Sequence, residues 1–562
     1  MFSFEIAAAF LFALTLDVGV KGASLTDISE GQWEALNATV SGRLFIAAPI
    51  SRPCFSNVGP NVTGQADEGG CEAVMQTYLD PETRSNTFGA FMNTEWETCQ
   101  ATSQQCLLDF TDPANAAAFS PPQVCAQGSV PRYYIDVREP ADVQAAFDFA
   151  RSTGVPLTIK NSGHDYSGRS SGADTLGLWI TYAPAFVPEG CDASQAADAV
   201  TFGAGVSQGA LYNFADGHNI TLPGGGERSV AAAGGYLQGI LSNAYGLAVD
   251  RVFQVKVVVP TGEYLTANAC QNTDLFFALR GGGGGTFGVV MEATTRALPQ
   301  TSLPTVLVQL NGTQGMEREW LDFIAANAIA YAQTGWGGVI APGTGIVFTN
   351  PLINMSQATA EMAGLEAFAT NQLKVPFSLT LQPTFLSLFN EFLLPNGVPV
   401  GLPFLATSRL IPADNFQTES QREELLDRLI PVLANSQPLI FAVAPFYFKD
   451  DGETSVTPAW RNSIWHVTAS AFWNYDTSLE EKRKIYANAS SNMDALREIT
   501  LQSGAYFNEA DVHEPNFETS FWGTNYDRLL QIKQKYDPDH LLDCWQCVGW
   551  SGASSARFSC YI

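Results

Sequence analysis

Three glycine-rich segments, each set against a run of apolar residues, constrain this chain more than any other feature. The first is Leu157-Thr158-Ile159-Lys160-Asn161-Ser162-Gly163-His164-Asp165-Tyr166-Ser167-Gly168-Arg169-Ser170-Ser171-Gly172. An apolar strand runs there into a tight turn of Gly, Ser, Asn and Asp, with one histidine at its centre. Backbone N–H groups in such turns form anion-binding concavities, and glycine lets a ligand approach the chain closely. Taken alone, the segment reads equally well as a surface turn carrying an exposed histidine. The second segment runs from Leu222 through Pro223-Gly224-Gly225-Gly226 to Gly234-Gly235 and Gly239, built of small residues. The third is Arg280-Gly281-Gly282-Gly283-Gly284-Gly285-Thr286-Phe287-Gly288. It is not a P-loop, because no Gly-Lys-Ser/Thr follows. It is not a dinucleotide-fold fingerprint either, because a strand pattern (Val289–Thr295) follows it and not a helix.

The elements around these segments place them. Arg132–Val137 reads as a strand, Ala141–Ser152 as a helix with Val143, Phe147 and Ala150 on one face, and Leu157–Lys160 as the next strand. The His164 turn then lies at a strand end, where ligands of α/β proteins sit. Strands are expected at Leu176–Tyr182 and Ala199–Ala204, a helix at Gln208–Asp216, a hairpin from Phe253–Val259 to Glu263–Thr266, and a helix at Thr273–Leu279. From about residue 303, strand runs (Thr305–Leu310, Leu405–Ile411, Leu439–Phe448, Ile464–Phe472) alternate with helical ones (Met316–Gln333, Ser356–Asn371, Ser420–Ala434, Leu479–Gln502). This order predicts an antiparallel sheet covered by helices, hence an α+β second domain. A helix is expected at Thr519–Tyr536, stopped by Asp537-Pro538.

At 562 residues the chain needs more than one core. Its net charge of −27 argues against nucleic acid or an anionic membrane as partner, since both require basic patches. Residues 1–22 read as a secretory signal: Ala7–Leu16 is an apolar run too short to span a bilayer, although the preceding residues lack Lys and Arg. Six Asn-x-Ser/Thr sequons, at Asn37, Asn61, Asn219, Asn311, Asn354 and Asn488, fit a glycosylated, exported chain. Ten cysteines crowd toward the two ends, which in an oxidising compartment reads as disulfides. For Cys544-Trp545-Gln546-Cys547 the rival reading is a zinc or redox pair, but only Cys560 and His540 lie near enough in sequence to complete a metal site.

Taken together and in order, these motifs resemble the vanillyl-alcohol-oxidase superfamily, with an FAD-binding domain of the para-cresol-methylhydroxylase type. Within it the chain is similar to secreted fungal oxidoreductases related to berberine bridge enzyme. The resemblance is carried by Ile159–Tyr166 with Gly168–Gly172, by Ala231–Gly239, by Arg280–Gly288, by Tyr506-Phe507-Asn508, and by Trp522–Leu530 with Lys533–Pro538. It spans roughly residues 125–550. It implies an FAD domain of two α+β subdomains (127–302), a substrate domain (303–500) and a C-terminal segment returning to the flavin (501–550). A signal peptide (1–22), a cysteine-containing extension (23–126) and a short tail (551–562) complete the division.

The resemblance also implies site residues. His164 is expected to bond the flavin 8α-methyl covalently. Lys160, Asn161, Ser162, Gly163, Asp165, Ser167, Gly168, Pro223, Gly224, Gly225, Gly234, Gly235, Val257 and Asn508 are expected to contact FAD. Tyr506 is the expected catalytic base, with His466 second to it; for His466 a satisfied sheet histidine is the stronger reading. Relatives of this kind often carry a cysteine that forms a second flavin bond, but alignment on Gly234-Gly235 puts Glu227 there, and no cysteine lies between Cys191 and Cys270. A single link, through His164, is therefore expected, with Glu227 either facing the substrate region or exposed on a loop. No metal is expected. The implied activity is oxidation of an alcohol or carbohydrate C–H by hydride transfer to flavin N5, with O2 as acceptor, by a secreted monomer. The competing readings are a tailoring dehydrogenase or cyclase of secondary metabolism and a non-catalytic glycoprotein.

Overall fold

The computed structural model describes residues 25–58, 64–173, 175–180, 198–234, 239–310, 317–396, 399–434, 436 and 438–562. The expected signal peptide, Tyr182, Cys191, Gly235 and the sequons at Asn61 and Asn311 lie outside them.

The first sheet has the spatial order Leu44–Ile46, Tyr133–Val137, Leu176–Ile180, Leu157–Lys160. Its last three strands run parallel, and helix Pro140–Thr153 makes the crossover, ending on Gly154 in the left-handed conformation. Val143, Ala146, Phe147 and Ala150 of that helix are buried against Ile135, Val137 and Leu157 of the sheet. Burying the Val143 or Phe147 side chain contributes roughly 1.5–3 kcal/mol. The edge strand Leu44–Ile46 comes from the cysteine-containing extension and pairs antiparallel with Tyr133–Val137. The extension also forms two ten-residue helices, Glu30–Thr39 and Glu68–Thr77. The second sheet is antiparallel, in the order Ala199–Gly203, Val289–Arg296, Val252–Val258, Tyr264–Asn268.

The third sheet has seven antiparallel strands, ordered Phe377–Gln382, Leu303–Gln309, Gly345–Thr349, Gly337–Ala341, Leu439–Ala442, Ser463–Phe472, Phe404–Pro412. Helices Glu317–Thr334, Met355–Ala367, Glu419–Ala434 and Leu479–Ile499 share its largest core, around Trp320, Met362, Leu425 and Met493. The period-two rule sorts strand Ser463–Phe472: Trp465, Val467 and Ala469 enter that core, which turns His466 to the opposite face. Several elements differ from the sequence expectation. The hairpin Gly337–Ala341/Gly345–Thr349 and the strand Phe377–Gln382 were not anticipated, and the helix expected at Thr519–Tyr536 is broken at Gly523 (φ +54°) into Phe517–Trp522 and Tyr526–Tyr536.

Disulfides join Cys54 to Cys71, Cys106 to Cys125, Cys99 to Cys560, and Cys544 to Cys547. The last removes the zinc reading of that pair, since both sulfurs are used. The Cys99–Cys560 bond ties the extension to the tail across 461 positions. No described helix is long and apolar enough to cross a membrane.

Candidate active site

The His164 turn is packed from below and from behind. Lys160 ends its strand fully buried, its Nζ donating to the Thr87 carbonyl at 2.8 Å beneath the rings of Phe88 and Phe91. Burial depresses its pKa to about 7, opposed by Glu97. Gly168 (φ +74°) lies against the Trp96 ring, where any Cβ would collide. Asp165 accepts the N–H groups of Ser167 and Ser170, both at 3.1 Å, and pairs with Arg169 at 3.1 Å. Tyr561, from the tail, donates to the Ser167 carbonyl at 2.8 Å.

Above the turn lies a cleft of about 300 Å³, the lower end of the range for small-molecule and cofactor sites. All three glycine-rich segments reach it, at Asn161–Asp165, at Ala231–Gly234 and at Gly283–Gly285, joined by Tyr506, Phe507 and Asn508. Among the described residues, the N–H groups of Ser162, Gly163, His164 and Asp165 donate no hydrogen bond within the protein, and neither do those of Gly283, Gly284 and Gly285. Two rows of free donors facing one cleft suit an anionic group, with no need for a cluster of Lys or Arg. Gly283 (φ +107°) and Gly285 (φ +70°) hold conformations that side chains disfavour, and beside Gly284 there is open space. Lys533 fixes this segment from beneath: its buried Nζ donates to Thr286 O and Leu542 O, each at 2.7 Å, and to Asp537 Oδ2 at 2.6 Å. An extended, phosphate-bearing flavin nucleotide fits these donors and this space.

His164 lies in the cleft wall. Its Nε2 is 2.7 Å from Ser229 Oγ. Burial, reinforced by the Lys160 charge, lowers its pKa to about 3, so the imidazole is neutral and nucleophilic at neutral pH. The C-terminal element clasps the turn: Asn508 Nδ2 donates to the His164 carbonyl at 3.2 Å, and Arg169 donates to the Phe507 carbonyl at 3.1 Å with its guanidinium over the Phe507 ring. Tyr506 thereby enters the same wall, edge-on to His466 and to Trp460, each with centroids 5.9 Å away.

The cleft thus gathers Asn161, Ser162, Gly163, His164, Asp165, Gly234, Tyr506 and Asn508 from the residues expected at the site. The others stand elsewhere. Lys160 leaves the cleft because strand alternation turns it toward the extension. Ser167 and Gly168 support the turn through Asp165 and Trp96. Pro223, Gly224 and Gly225 pack on helix Gln208–Gly217: the Pro223 carbonyl accepts from Arg251, a Cβ on Gly224 would strike Tyr212 and Gln208, and the Gly225 N–H donates to Gln208. Val257 is in the core under Gly288, next to an irregularity in strand pairing at Lys256/Val257, while Val255 and Val252 line the cleft. His466 is fully buried behind Tyr506, stacked near Phe441, and desolvation lowers its pKa to about 3. That placement fits the sheet-histidine reading better than the catalytic one.

Two polar residues escaped sequence reasoning. Ser229 meets His164 from 65 positions away. Glu509, directly after the Tyr506–Asn508 element, brings a carboxylate to 3.9 Å from His466 Nδ1. Only its neighbourhood to that motif could have signalled it.

A glycine-lined cleft walled by segments of the first two sheets and closed by a C-terminal element, with His466 of the third sheet behind Tyr506, defines a flavin-dependent oxidoreductase. The chain belongs to the vanillyl-alcohol-oxidase family of FAD-linked oxidoreductases, in its berberine-bridge-like branch. Residues 131–268 match the family model "FAD binding domain", and residues 505–548 match "Berberine and berberine like". The FAD-linked oxidoreductase ffsJ of Aspergillus flavipes is 35% identical over 96% of this chain and 94% of its own. The bifunctional decalin synthase calF of Penicillium decumbens is 30% identical over 94% of this chain and 93% of its own. The crystal structure of a VAO-type flavoprotein, MtVAO615 of Myceliophthora thermophila, superposes with a TM-score of 0.80 at 28% identity, covering 93% of this chain and 95% of that one.

Proposed function

We propose that this chain is a secreted oxidase that removes hydride from a hydroxyl-bearing carbon of an alcohol or carbohydrate, with FAD anchored covalently through His164 and O2 as final acceptor. FAD, when bound, supplies the two-electron acceptor. The chain's own residues do the rest. The N–H groups of Ser162–Asp165 and Gly283–Gly285 would hold the FAD phosphates. His164 offers a neutral imidazole. Tyr506 takes the substrate hydroxyl proton in its phenolate form, and Glu509 places a carboxylate beside the Tyr506–His466 ring pair.

The observation that carries this reading is the clasp of the C-terminal element on the His164 turn, which puts a phenol and an imidazole in one wall. Export is supported by the apolar N-terminal run, by the disulfides, and by the exposed positions of Asn219, Asn354 and Asn488 as glycan acceptors. A screen for peroxide release over alcohols, sugars and phenols with purified protein tests the activity. Peroxide from one of these classes supports the reading. Flavin that none of them reduces sinks it in favour of a tailoring enzyme acting on one dedicated intermediate. That second reading rests on the similarity to a decalin synthase along nearly the whole chain.

A further inference from the structure

Ser229 stands between His164 and an acid. Its Oγ is 2.7 Å from His164 Nε2 and 3.1 Å from Glu227 Oε1, and its backbone N–H also donates to Glu227 Oε1 at 3.1 Å. A hydroxyl carries one proton, and a carboxylate can only accept. Ser229 therefore donates to Glu227 and accepts from Nε2–H. This fixes the tautomer of His164 and leaves the lone pair on Nδ1, to which the structure gives no hydrogen bond among the described residues.

The far end of the chain of contacts opens outward. Glu227 lines a separate hollow of about 240 Å³ with Asp80, Glu82, Arg228 and Val400. Arg228 is committed to Glu82 at 2.8 Å, so it does not neutralise Glu227. The three side chains thus form a path from the cleft wall to an open, acidic recess.

We propose that Glu227 and Ser229 are a proton relay for attaching the flavin to His164; this rests on reading His164 as the covalent anchor. The bond formed joins Nδ1 to the 8α carbon, and the bonds broken are one C–H of that methyl group and Nε2–H. Both hydrogens leave as protons. The Nε2 proton passes to Ser229 as the Ser229 proton passes to Glu227. The isoalloxazine ring takes the two electrons and O2 takes them in turn, so that O2 and the two protons become hydrogen peroxide. Without the relay the product is an alkylated imidazolium, a cation held beside Lys160 in a desolvated wall. Glu227 thereby has a task at the position where relatives place a second flavin link.

The test compares acid-stable with total FAD after incubating apoprotein with FAD, read by flavin fluorescence in denaturing gels. Glu227→Gln and Ser229→Ala are expected to bind FAD yet attach it roughly a hundredfold more slowly, the scale of a lost general base. Ser229→Thr, which keeps the hydroxyl, is expected to attach it at nearly the wild-type rate. Wild-type rates in both Glu227→Gln and Ser229→Ala overturn the relay while leaving the anchor intact. A wild-type protein without acid-stable flavin overturns the anchor itself. NMR of the flavinylated wild-type peptide is independent of how any variant folds: a bond at Nδ1 is expected, and one at Nε2 overturns the proposal.

Discussion

Asn508 Nδ2 donates to the carbonyl of His164 at 3.2 Å, joining residues 344 positions apart. This bond and the one from Arg169 to the Phe507 carbonyl close the cleft at its chemical end. Replacing Asn508 by Leu removes the donor and leaves the carbonyl unsatisfied, at a cost of about 1–3 kcal/mol. The expected outcome is a lower melting temperature and a larger loosening of Tyr506, seen as reduced turnover at unchanged FAD content. Wild-type turnover in Asn508→Leu would mean that the clasp does not position the phenol.

Among the described residues, His164 makes one side-chain hydrogen bond, to Ser229. His164→Ala is therefore expected to fold with the wild-type circular dichroism spectrum, while its FAD washes out on acid precipitation. Yellow colour surviving precipitation in that variant rules out the single link through His164.

Tyr506 is buried among Leu247, Leu410, Val456 and Trp460, so its ring is held rigidly while its edge reaches the cleft. Tyr506→Phe keeps that packing and removes the hydroxyl. Flavin reduction by an active substrate, followed anaerobically by stopped-flow absorbance, is expected to slow by roughly a hundredfold or more, with KM little changed. An unchanged reduction rate would move the base to another group, Glu509 being a candidate, its carboxylate 3.9 Å from His466 Nδ1.

The His164 turn and the Tyr506–Asn508 element were legible because each is a local pattern and because the motifs follow one another in a fixed order, although the turn alone left its role open. Lys160 shows where such reading stops. It adjoins the turn, but its direction is set by strand alternation and by Thr87, Phe88 and Phe91, some seventy positions upstream. Val257 failed as a cleft residue for a related reason, since irregular strand pairing at Lys256/Val257 disturbs the two-residue period that the sequence alone shows. The hairpin Gly337–Ala341/Gly345–Thr349 carries glycines at both strands, which weakens the strand signal; in the fold, Gly338 lets the neighbouring strand approach where a Cβ would strike Val347 O and the Phe348 ring. Ser229 had no local signature at all, because its role exists only once the second glycine segment is folded against the first.

His466 gives the fold a pH dependence whose sign follows from burial. Desolvation lowers its pKa from 6.5 to about 3 in the folded protein. Between those values the unfolded chain takes up a proton that the folded one refuses, so acid favours unfolding. Well above pH 6.5 both states are neutral at this residue and it contributes no slope. Below that, stability falls by up to about 1.4 kcal/mol per pH unit on this account, and the loss levels off near pH 3, where the folded protein also binds the proton. Buried Glu95 and Glu97 act in the opposite direction, since burial raises their pKa values, so the wild-type curve alone does not isolate the histidine. The difference between wild type and His466→Gln does. Urea unfolding at intervals from pH 7 to pH 4 is expected to show the variant losing stability less steeply than wild type, by close to one proton's worth of slope. Parallel curves would place His466 in contact with water or with a protonating partner in the folded state, against its complete burial behind Tyr506.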